Sequence, residues 1–70
     1  MMNQDNSLMF LSKEMRLSLK FTQGELADLA AVSQADVDYF ERSLPIQLEA
    51  RQKILKTLCR SMKLQMQLNK

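Results

Sequence analysis

Seventy residues make one domain at most, and a lone domain of this size buries only about 60% of its unfolded surface, so it is marginally stable and association between copies is expected. The 46% hydrophobic and 26% charged content is globular, no apolar run reaches the roughly 18 residues of a membrane span, and one cysteine with no histidine excludes internal disulfides, common zinc spacings and histidine-based triads. The net charge of +2 hides an asymmetry, −4 over residues 1–41 and +6 over 42–70, which is compatible with a basic nucleic-acid-binding surface, although a solvated charged face is by itself the more common meaning. This residue set argues against an enzyme, a cofactor or a bound metal.

The opening Met1-Met2-Asn3-Gln4-Asp5-Asn6-Ser7 is a polar tail without the basic segment or cleavage site of a secretory signal, so a cytoplasmic location is expected. Ser7 then offers a cap for a helix over 8–20, in which Leu8, Leu11, Met15 and Leu19 share one face. Lys13, Glu14 and Arg16 are expected to face water.

Thr22-Gln23-Gly24-Glu25 has the S/T-x-x-E form of a capping box, with Phe21 placed as a hydrophobic staple, and starts a second helix at Thr22. Leu26, Ala27 and Ala30 give it a small apolar face suited to close packing. It should stop near Ala31, because Ser33-Gln34-Ala35-Asp36 repeats the capping pattern. A third helix runs to about Arg42, with Val37 and Phe40 inward and Asp36, Asp38 and Tyr39 on other faces.

Ser43-Leu44-Pro45 breaks the pattern, since proline biases the residue before it away from helix and itself fits the first turn of a new one. A fourth helix is expected over 46–60, burying Ile46, Ala50, Ile54, Leu55 and Leu58 and exposing Arg51, Lys53, Lys56 and Arg60. From Met62 to Lys70 apolar and polar residues alternate without error, which is strand period. Met, Gln, Lys and Leu are also good helix formers, so a continuing helix competes; the alternation favours the strand. A lone strand needs a partner, and the simplest is the same segment of a second subunit, Met62, Leu64, Met66 and Leu68 forming the dimerisation face. The chain thus divides into a tail (1–7), a helical domain (8–61) and a dimerisation strand (62–70). The methionines at apolar positions, Met9, Met15, Met62 and Met66, read as core or dimer seam before they read as an adaptable surface, and Cys59 reads as a small buried residue before a redox switch.

The run from Thr22 to Arg42 closely resembles the helix-turn-helix of the lambda-repressor/Cro, or XRE, family. The shared features are the Thr22-Gln23-x-Glu25-Leu26-Ala27 opening, the small residue and Val32-Ser33 at the turn, the inward Val37, and the Phe40-Glu41-Arg42 close. The resemblance covers about a third of the chain. It implies an all-α domain, a homodimer and a transcriptional repressor that binds double-stranded operator DNA. It further implies a recognition helix in the major groove, with Gln23 anchoring a phosphate and Ser33, Gln34, Ala35, Asp38, Tyr39 and Arg42 facing DNA. Gln34 suits an adenine edge and Ala35 a thymine methyl. Plainer roles stand beside these: Gln23 and Ser33 as helix caps, Ala35 as merely small.

Two departures are visible. Ala31 occupies the place where the family has glycine at positive φ. Asp36, Asp38 and Glu41 load the recognition helix with carboxylates, which repel phosphate unless they read cytosine amino groups or pair with nearby cations. A narrower similarity, carried by Lys53-Ile54-Leu55-Lys56-Thr57-Leu58 and the alternating end, is to the HipB antitoxin subgroup, which implies a HipA-like kinase toxin as partner. A phage Cro-like repressor, or an adaptor working by protein contact without DNA, are the alternatives.

Overall fold

The computed structural model describes residues 4–68, which form four helices: α1 (Gln4–Ser18), α2 (Gln23–Ala30), α3 (Gln34–Glu41) and α4 (Leu48–Leu68). The all-helical expectation holds for these residues. Residues 1–3 of the expected tail lie outside them, and 4–7 are helical, so Ser7 is inside α1 and not its cap.

The short helices α2 and α3 form where the capping residues place them. Thr22 Oγ1 accepts from the Glu25 N–H at 3.0 Å while Glu25 Oε1 accepts from the Thr22 N–H at 2.8 Å, so the capping box is complete in both directions. Ser33 Oγ accepts from the Asp36 N–H at 3.1 Å to start α3. Only Ala31, Val32 and Ser33 separate the two helices.

The first three helices end in the same way. Beyond α1, Lys20 is left-handed (φ 63°), with Lys20 N–H donating to Leu17 O and Phe21 N–H to Arg16 O. Beyond α2, Ala31 has φ 60°, with Ala31 N–H reaching Asp28 O and Val32 N–H reaching Ala27 O. Beyond α3, Ser43 has φ 66°, with Ser43 N–H on Phe40 O and Leu44 N–H on Tyr39 O. These paired bonds are Schellman closures, normally built on glycine. The chain's one glycine, Gly24, is used elsewhere, so three side-chain-bearing residues hold the left-handed position.

Leu26, Ala27 and Ala30 of α2, Val37 and Phe40 of α3, and Ile54 and Leu58 of α4 form the buried core, with Met15, Leu19, Phe21, Val32, Ile46 and Leu55 packed around it. The small Ala27 and Ala30 let α2 lie close against its neighbours, as their spacing predicts. On α1 the buried stripe differs from the expected one. Ser12 and Arg16 are buried beside half-buried Met15 and Leu19, whereas Leu11 is 54% exposed.

The expected C-terminal strand is replaced by helix. Having started at Leu48, α4 runs through position 60 without a break to Leu68, and Asn69 and Lys70 lie outside the described residues. The physical reason is continuity. Residues 60–68 contain no glycine, proline or β-branched side chain, and extending an existing helix adds a hydrogen bond per residue with no new nucleation. A strand there would require a partner for its whole backbone. On a helix the alternating side chains no longer share a face: Leu64 points about 160° away from both Met62 and Met66. Cys59, expected to be buried, is exposed on α4. No helix among the described residues is long and apolar enough to cross a membrane.

Candidate nucleic-acid interface

At 100° per residue, Gln34, Ala35, Asp38, Tyr39 and Arg42 fall within about 140° of one another around α3. All but half-buried Asp38 are exposed, and so is Ser33 at the helix start. Val37 and Phe40, on the opposite side, are 0% and 1% exposed. Five of the seven residues that the family resemblance implies for DNA contact are therefore brought onto one outward face, because the inward residues of the same helix are locked in the core.

Beneath that face runs a polar network that anchors α3. Arg16 Nε and Nη2 donate to Glu41 Oε2 and Oε1 at 2.5 and 3.0 Å, and Arg16 Nη1 donates to Phe21 O at 2.8 Å. The two side chains are only 9% and 5% exposed. Gln23 Nε2 donates to Glu41 Oε1 at 3.1 Å and to Asp38 Oδ1 at 3.3 Å, and Arg42 Nε lies 3.4 Å from Asp38 Oδ1. Arg16, expected to face water, is instead the central cation of this network. Gln23, expected to reach outward to phosphate, turns its amide nitrogen toward α3.

This arrangement offsets two of the three carboxylates of α3 with nearby partners. The Glu41 charge is matched by a buried, forked guanidinium, and the Asp38 charge by Arg42 and the Gln23 amide. Asp36 lies in the first turn of α3, where the positive end of the helix favours a carboxylate.

Gly24 has a positional role that the sequence does not announce. A Cβ built there would sit 3.3 Å from Gln34 Oε1 and 3.9 Å from Thr22 Oγ1, so the missing side chain leaves room for the Gln34 amide against the start of α2. The Arg16 role carried a signal, though not an apolar one: Ser12, Met15, Arg16 and Leu19 keep the i, i+3, i+4, i+7 spacing of a buried stripe, but half of it is polar.

On α4, Lys53, Lys56, Arg60 and Lys63 are exposed on the side away from Ile54 and Leu58, with Glu49 among them, 3.6 Å from the Lys53 ammonium. Among the described residues no group of His, Cys, Asp or Glu is placed to hold a metal ion. Set against known protein families, curated proteins and solved structures, the chain matches none.

Proposed function

We propose that the chain is a helix-turn-helix protein that binds double-stranded DNA through α3 and acts as a transcriptional repressor. The observation that supports it best is the exposed face of Gln34, Ala35, Tyr39 and Arg42, on a helix where Glu41 is paired with buried Arg16 and Asp38 with Gln23 and Arg42. An eight-residue helix held by Val37, Phe40 and the Arg16–Glu41 pair is a rigid element that can enter the major groove end-on. Gln34 there reads an adenine edge, and the Ala35 methyl packs against thymine.

The start of α2 supplies the phosphate contact. With the Gln23 amide nitrogen engaged inside, the groups left to meet phosphate are the backbone N–H groups of Gln23 and Gly24, which have no acceptor within their own helix. The antitoxin expectation draws partly on a tail strand; with residues 62–68 helical, the proposal is limited to DNA binding and repression.

The test is selection of duplexes from a randomised pool, then titration of the selected and a scrambled duplex at one stated salt concentration. The selected duplex should bind about 1,000-fold tighter or more. Equal affinity for the two, or no binding to either, contradicts the proposal and favours an adaptor.

A further inference from the structure

Helix α4 carries a second apolar stripe that the core does not use. Leu48, Leu55, Cys59, Met62 and Met66 follow one another at steps of seven, four, three and four residues, with Gln52 filling the remaining place. This is the repeat of a seam between two helices. Its ends are well exposed, Leu48 at 62% and Met66 at 67%, while Leu55 and Met62 are half-buried where the stripe borders the core. Ala50, Ile54 and Leu58 face the other way, into the domain.

We propose that this stripe is where two copies of the chain associate, α4 lying antiparallel to its two-fold mate. The positions are close to palindromic. With the axis midway between Leu55 and Cys59, Leu48 lies opposite the partner's Met66, Gln52 opposite the partner's Met62, and Leu55 opposite the partner's Cys59, and symmetry repeats each contact. The two exposed ends of the stripe, Leu48 and Met66, thus cover one another.

Charge selects the same orientation. Beside the seam, antiparallel pairing brings Glu49 next to the partner's Lys63 twice, at the cost of one like-charged meeting of Lys56 with its mate on long, solvated stems. Parallel pairing sets Arg51 beside the partner's Lys56 twice, with no carboxylate between them. The seam spans about 27 Å, which is short for a stable interface, so a weak, reversible dimer is expected. This inference is independent of DNA binding.

The experiment is sedimentation of the full chain at about 100 μM in about 0.5 M salt, where repulsion between the lysine-rich helices is screened. The wild type should be largely dimeric, Leu48→Gln with Met66→Gln should weaken the dimer by more than about tenfold, and Leu64→Gln, which removes an equally exposed residue off the seam, should leave it unchanged. Circular dichroism confirms that each variant keeps its helix. Orientation is read from the Gln52→Cys, Met62→Cys chain carrying Cys59→Ser: oxidation should join position 52 to position 62 of the mate. A monomeric wild type, a dimer indifferent to the seam substitutions, a dimer lost with Leu64→Gln, or 52-to-52 and 62-to-62 disulfides would each overturn the proposal.

Discussion

The Arg16 guanidinium grips the Glu41 carboxylate through two hydrogen bonds, tying α1 to the end of α3 across 25 residues of chain. A third bond from Arg16 to the Phe21 carbonyl holds the chain just before α2, so one side chain fixes three segments. Removing one member leaves the other charged and buried, a loss of about 3–5 kcal/mol. A 70-residue domain has about 4–10 kcal/mol in total. Arg16→Ala or Glu41→Ala should therefore remove roughly a third or more of the folding stability in urea titrations, while Arg16→Met with Glu41→Leu should recover most of the loss. A cost below about 1 kcal/mol for either single change would show that the pair is not structurally important.

Ala31 holds a left-handed conformation that costs a residue with a Cβ about 1–2 kcal/mol. Glycine removes that cost but loses more entropy on folding, so Ala31→Gly should stabilise by about 0.5–1 kcal/mol and raise the melting temperature by a few degrees. Calorimetry showing a lower melting temperature would mean that the Ala31 methyl contributes packing that outweighs the strain.

Gly24 is the second residue of α2, where alanine gains part of the about 1 kcal/mol by which it is the better helix former in a helix interior. The new methyl would press on the Gln34 amide at 3.3 Å, and that flexible side chain must yield. Gly24→Ala should thus raise stability while reducing discrimination at the base pair that Gln34 is proposed to read. Gln34→Ala should lose about 1–3 kcal/mol of discrimination there with no change in fold. If both variants bind selected and scrambled duplexes in the wild-type ratio, Gln34 reads no base.

Asp38 accepts from Gln23 and pairs with Arg42. Asp38→Asn retains an oxygen for Gln23 and releases the guanidinium toward phosphate. Affinity for random duplex should rise several-fold, and the plot of log affinity against log salt should steepen by about one. Unchanged affinity and slope would place Asp38 and Arg42 off the interface.

Local chemistry made much of this molecule legible. The Thr22 capping box, the Ser33 cap and the inward Val37 and Phe40 are short-range consequences of residue type, and each is found as its neighbours dictate, whereas the positive φ at Ala31 runs against residue type and was legible only through the family resemblance. What escaped were features set by distant partners. Arg16 looks solvent-facing until Glu41 is brought to it, and Gln23 looks outward until Asp38 is. The 62–68 segment shows the reverse error: perfect alternation suits a strand, but the helix already running from Leu48 had nothing to stop it. Leu11 and Cys59 were misplaced for a simpler reason, since an apolar residue on a small domain is often left at the surface.

The most direct test of the DNA-binding claim is an amide chemical-shift titration of the full chain with a selected duplex. The largest perturbations should fall at Gln23 and Gly24 and from Ser33 to Tyr39, with smaller ones along the cations of α4. Perturbations confined to Lys53, Lys56, Arg60 and Lys63, with α3 unmoved, would contradict the claim.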